Sequence, residues 1–172
     1  MPRIAFDTLP DDARVWVFAL SSPLAPDGVG ILLRAVDEYL DEWRAHGEPL
    51  RCARDWRDSR FLAIGVDQST AGASGCSIDD LFRVVQRLQS SLGATLVGGG
   101  RVFYRDAGGV VQSTDRRDFA RIAAEGDVHD DTMVFDTSVT TAAAFRAKFE
   151  VPLKDSWHRD LAPVRQNVAR PV

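Results

Sequence analysis

The stretch Asp67-Gln-Ser-Thr-Ala-Gly-Ala-Ser-Gly-Cys-Ser-Ile-Asp79 holds the residues best suited to chemistry in this 172-residue sequence. It leads from the end of an apolar run into an apolar-periodic segment, and so reads as a strand-to-helix loop. Unsatisfied backbone N–H groups and the dipole at a helix N-terminus favour an anion or a thiolate. Cys76, placed there, would have a lowered pKa and could act as a nucleophile. Asp67, Ser74 and Ser77 offer oxygens to a small ligand, and Gly72 and Gly75 would let the backbone approach it closely. The plainer alternative is a tight turn capped by Ser77, with Asp80 in a capping-box-like position and the cysteine a small hydrophobe. That alternative ranks somewhat ahead, because Asp79 and Asp80 already complement the dipole. His46 and His158 lie near polar turn residues and could serve as a base, but nothing in the spacing brings either to Cys76.

Several chemistries drop out. There is no Gly-x-x-x-x-Gly-Lys-Ser/Thr, hence no P-loop nucleotide site. Asp67-Gln-Ser-Thr70 echoes the phosphate motif of sugar kinases, but that motif turns into a strand and here a helix follows. His129 with Asp130 and Asp131 fits a solvated turn better than a metal site. Neither a metal nor a cofactor is expected. The net charge is -4, from 21 basic and 25 acidic residues, which argues against nucleic acid as the main partner. Arg51, Arg54, Arg57 and Arg60 recur every three residues, as an exposed strand and turn would place them. Cys52 and Cys76 fall in different contexts and read as reduced thiols of a cytoplasmic protein. The first residues lack a secretory pattern, and no stretch approaches the roughly 20 apolar residues of a membrane span, so no membrane partner is expected.

The elements that must position the loop come next. Arg14-Val-Trp-Val-Phe-Ala-Leu20 is a β-rich run, read as a buried first strand. Pro26 and Asp27 suit a helix start, and Val29, Leu32, Leu33, Val36, Leu40 and Trp43 form one helical face. Leu50 to Asp58 and Arg60 to Asp67 read as two strands folding back through Asp58-Ser59. A second helix begins at Ser77, with Ile78, Leu81, Phe82, Val85, Leu88 and Leu92 on its apolar face and Gly93 at its end. Val102-Phe-Tyr104 supplies a fourth strand. The order predicts an α+β fold, a ferredoxin-like βαββαβ antiparallel sandwich over residues 1–97, with two helices covering one sheet face.

Residues 98–160 predict a small hairpin-plus-helices module. Asp106-Ala-Gly-Gly109 turns Val102-Phe-Tyr104 back into Val110-Val111. Asp115 caps a short helix through Phe119, Ile122 and Ala123 that stops at Gly126. Thr132 to Phe135 is a strand, and Thr140 or Thr141 opens another short helix. Residues 161–172 read as a flexible tail.

Arg14-Val-Trp16, Trp43 with His46-Gly47 and Pro49-Leu50, Ala73-Ser-Gly-Cys-Ser-Ile-Asp79 and Val151-Pro-Leu-Lys-Asp-Ser-Trp157-His158 together resemble an uncharacterised family of small bacterial proteins. Relatives there are sometimes labelled ABC transporter ATPases, but this sequence lacks the Walker motif that activity needs. The second half also resembles a GYF-type peptide-binding module, through Phe103-Tyr104, Asp118-Phe119, Gly126-Asp-Val128, Asp131-Thr-Met-Val134 and Val151-Pro152. The aromatic set that grips proline-rich peptides is not evident in it, and a buttress to the first domain remains the alternative. With no catalytic constellation in sight, the first functional expectation is a non-catalytic interaction protein. It would bind a protein partner or itself through Trp56, Tyr104 or Trp157. The second is a small-ligand- or anion-binding protein or enzyme built on the 67–79 loop, with Cys76 as nucleophile or Ser74 and Ser77 as hydrogen-bond donors to an anion.

Overall fold

An unbroken apolar run such as Phe61–Val66 needs cover on both faces of any sheet that contains it, and all six of its residues are buried. The structure, a computed structural model, describes residues 3–45, 47–69, 75–97 and 99–162. Up to the end of the second long helix the elements are β1 (Arg14–Leu20), α1 (Pro26–Glu42), β2 (Arg44–Ala45), β3 (Glu48–Pro49), β4 (Cys52–Arg57), β5 (Phe61–Val66) and α2 (Gly75–Leu92). They continue with β6 (Leu96–Val97), β7 (Arg101–Arg105), β8 (Val111–Asp115), α3 (Arg116–Glu125), β9 (Met133–Phe135), α4 (Ala142–Lys148) and β10 (Glu150–Pro152). Short 3-10 turns cover Phe6–Thr8, Leu153–Asp155 and Trp157–Leu161. The fold is mixed α+β, and the chain divides into two units: Met1–Gly98 with Thr137–Ala147, and Gly99–Asp136 with Lys148–Val172.

In the first unit the sheet order is β4-β5-β1-β6, antiparallel throughout. The tight reversal between β4 and β5 puts Asp58 and Ser59 at φ 51° and 52°, a region short polar residues tolerate. Alternation along the strands sorts the side chains. Leu20, Leu62, Ile64 and Val66 pack with Leu32, Val36 and Leu40 of α1 and Leu81 and Val85 of α2. On the other face Gly65 meets Leu9 and Phe6 of the N-terminal segment, and Phe6 stands edge-on to Phe145 of α4 at 5.1 Å. Three backbone bonds tie this late segment to the early one: Val15 N–H donates to Thr140 O at 2.8 Å, Ala142 N–H to Ala13 O at 2.9 Å and Ala143 N–H to Asp11 O at 3.0 Å. The sheet is therefore covered on both faces, the second by residues from opposite ends of the sequence.

Two expectations need correcting. Val102-Phe-Tyr104 does not join the first sheet. Its place beside β1 is taken by the two-residue β6, which pairs with Ala19 and Leu20. Leu96-Val97 is too short to register by periodicity, so the stronger apolar signal beyond the glycines drew the assignment. The helix expected from Ser77 begins at Gly75, so Cys76 and Ser77 lie inside its first turn.

In the second unit the order is β10-β9-β7-β8, again antiparallel. Asp106 shapes the β7–β8 hairpin: its carboxylate accepts from Gly108 N–H at 2.9 Å and Val110 N–H at 3.0 Å. Asp115 caps α3 by accepting from Asp118 N–H at 2.8 Å, and Gly126 closes it at φ 96°. Phe119 and Ala123 of α3 pack on Val102, Val134 and Leu153, with Tyr104, Ile122 and Leu161 around them. No helix among the described residues is long and apolar enough to cross a membrane.

Candidate functional site

Asp67 ends the apolar β5 run, and its carboxylate folds back on its own turn. It accepts from Ser69 N–H at 2.9 Å and faces Arg51 Nη1 at 3.4 Å, with its residue only 3 % exposed. Hydrogen bonds from Ser69, side chain first and then backbone, hold its carboxyl below the usual range, and Arg51 adds to the effect. A carboxylate engaged in this way shapes the turn that leaves β5. Gly72 and Ser74 lie outside the described residues, as do the side chains of Cys76 and Ser77 and the whole of His46. Gly75 is the first residue of α2.

The other cysteine is settled. Cys52 is buried on β4 and its Sγ–H donates to Leu40 O at 3.6 Å. Burial, aided by Asp41 and opposed by Arg3, pushes its thiol up to about 12. Beside it, the N-terminal segment pairs with the edge of β4 through Ile4 N–H to Cys52 O at 2.9 Å. An open cleft of about 260 Å3 here is lined by Arg3, Ile4, Asp37 and Arg54. Asp37 is engaged by both guanidiniums, Arg54 gripping it with two nitrogens, and Arg3 reaches Asp41 at 3.2 Å. The two cations and two carboxylates cancel, so the cluster fastens the N-terminal segment and leaves no net charge for a ligand.

The three aromatic residues expected at an interface differ in their settings. Trp56 is half-buried on β4 and packs against the α-helical side of the first core. Tyr104 is half-buried on β7, edge-on to Phe119 at 5.8 Å, and burial raises its hydroxyl pKa. Trp157 is 40 % exposed. Its ring stacks on His158 at 3.9 Å and 25°, and the Arg116 guanidinium carbon lies 5.4 Å from the ring centre. Tyr104 and Trp157 are linked, since Phe119 touches both Tyr104 and, at 6.4 Å, His158.

The cluster also holds Arg116, which carried no signal in the sequence, and His158, which the sequence offered as a candidate base. His158 is 1 % exposed. Its Nδ1 lies 2.7 Å from Ser156 Oγ, and Ser156 also accepts from the His158 N–H at 3.4 Å as it starts the 3-10 turn. Burial drops the imidazole to about 4, with Arg116 pushing the same way and Asp136 opposing. The ring is therefore neutral at pH 7, wedged between Phe119 and Trp157. A histidine so far down is a weak base, and its packing makes it the pedestal of the exposed indole. The available signal was the tripeptide Ser156-Trp157-His158 followed by Arg159, but no sequence period brings Arg116 of α3 to it.

Among the described residues no group of three or more His, Cys, Asp or Glu could hold a metal ion. Fold and site together define an α+β chain of two units, the second carrying a braced, solvent-facing aromatic residue. No protein-family model matches the chain, and neither does any curated protein or solved structure.

Proposed function

We propose that this is a non-catalytic interaction protein whose second unit binds a peptide segment of a protein partner at the surface around Trp157. The observation that carries this reading is that Trp157 is 40 % exposed and yet its ring is held against His158. Ordering a side chain on binding costs about 0.5–1.5 kcal/mol, and here much of that ordering is present in the free protein. Trp and Arg are also the residues over-represented where binding energy concentrates. The GYF-type resemblance supports the same reading, with β7–β8, α3, β9 and β10 in that order along the chain. Tyr104 supports the cluster from behind through Phe119, and Trp56 is kept as packing of the first unit. That unit we read as a ferredoxin-like sandwich serving as scaffold, a reading supported by the β4-β5-β1-β6 order and by α1 and α2 on one face. Reduced thiols fit a cytoplasmic setting.

The test is peptide display on the full chain, with Trp157→Ala as the counter-target. The reading expects enriched peptides that bind the parent at least about tenfold more tightly than the variant, with the circular dichroism of the variant unchanged. No enrichment, or equal affinity for both proteins, rejects it. A second reading keeps Cys76 as nucleophile, favoured by its place in the first turn of an 18-residue helix. Because Cys52 is shielded, the pH profile of iodoacetamide labelling in the native protein reads Cys76 alone. A midpoint well below about 8.5 supports that reading, and one at or above it removes the reading.

A further inference from the structure

Resting on the assignment of Trp157 as a contact residue, we infer that the bound segment is a short acidic peptide carrying an apolar side chain. The apolar group lies against the indole, and carboxylates on either side pair with Arg116 and Arg159. Arg116 contacts the Trp157 ring, and among the described residues it has neither an ion-pair nor a hydrogen-bond partner. The carboxylates nearest it along α3 have other contacts. Asp115 accepts from the Asp118 N–H, while Asp118 and Glu125 bracket Arg121 at 3.6 and 2.9 Å. Arg117 and Arg159 are exposed and likewise without an ion pair among the described residues. A guanidinium fixed beside an exposed indole presents donors and an apolar face together, the combination a carboxylate next to a hydrophobic residue satisfies.

The same surface limits the length of the negative segment. Asp155 and Asp160 are exposed at the two ends of the Ser156–Arg159 stretch. A long polyanion with evenly spaced phosphates would meet them both, whereas one or two carboxylates around a central apolar residue need not. Nucleic acid is therefore disfavoured at this surface for a local reason as well as by the net charge of -4.

The test uses the full chain and fluorescein-labelled peptides of sequence Gly-Ser-Asp-Phe-Glu-Ser-Gly, its amide analogue with Asn and Gln, and a basic analogue with two Lys, beside oligo-thymidylate. Anisotropy is read at about 50 mM salt and again at several-fold higher salt, where screening weakens exposed charge pairs. The acidic peptide is expected to bind at least about tenfold more tightly than the amide and basic analogues, and to weaken about threefold to tenfold with Arg116→Glu and again with salt. Arg116→Glu places an acid at the first turn of α3, where the dipole tolerates it, so the variant is expected to fold. Equal binding of the acidic and amide peptides, preference for the basic peptide or the oligonucleotide, or indifference to Arg116→Glu overturns the inference. If the analogues bind alike but all lose affinity with Trp157→Ala, the acidic preference alone has failed. If none responds to Trp157→Ala, the parent reading has failed with it.

Discussion

Lowering the pH from 7.5 to 5 is expected to remove about 2 kcal/mol from the stability of the second unit, and His158→Gln is expected to abolish that loss. His158 is 1 % exposed, and its pKa falls from 6.5 to about 4 through burial. The native fold thus holds the neutral ring, while the unfolded chain takes up a proton below about 6.5. The contribution is complete above 6.5 and drains away as the pH falls towards 4. At roughly 1.4 kcal/mol per pKa unit the full shift is worth about 3 kcal/mol, of which about 2 has gone by pH 5. Urea unfolding followed by circular dichroism, run on both proteins at matched pH, measures the difference. The variant also loses the ring contacts with Phe119 and Trp157, a cost independent of pH, so only the slopes are compared. Parallel pH dependence of the two proteins, or an NMR titration placing His158 near 6.5, would refute the burial argument.

Three further outcomes test the packing. Gly65→Ala would drive a Cβ into Leu9 Cδ1, with Phe6 Cε2 3.4 Å away; since Leu9 is itself buried, overpacking is expected to cost about 1–3 kcal/mol in urea melts. Phe145→Ala empties the second face of the first sheet, where Phe6 and the Arg57 guanidinium touch the ring. It is expected to cost about 3–5 kcal/mol and to speed amide exchange at Val15, whose N–H reaches Thr140 O in the same segment. Cys52 is expected to resist iodoacetamide in the native protein and to react once urea unfolds it; mass spectrometry showing native-state labelling at Cys52 would contradict its burial.

Elements with strong local signals were legible from the residues. The α1 stripe, the Asp58-Ser59 reversal, the Asp106–Gly109 hairpin and the Asp115 cap of α3 all stand where composition placed them. Each is decided within a few residues, by periodicity or by one side chain's hydrogen bond. What escaped was non-local. Nothing near Ala142 or Phe145 announces that this segment pairs with Ala13 and covers Gly65, more than seventy residues earlier. The unbroken run Phe61–Val66 did imply cover on two faces, but not by what. The candidate site divides in the same way: Trp157 was visible as an exposed-type aromatic, whereas the seating of its ring on His158 beside Arg116 depends on α3 and the last 3-10 turn meeting. Asp67 was read from the sequence as a ligand-binding oxygen, and its bond to Ser69 N–H is the local Asx geometry that a residue at the end of a strand favours.

The most direct test of the interaction surface is a 15N titration that follows the four tryptophan indole N–H signals as a display-selected peptide is added. The Trp157 indole is expected to move in proportion to occupancy while that of Trp56 stays in place. A saturating peptide that shifts Trp56 and leaves Trp157 still would contradict the account.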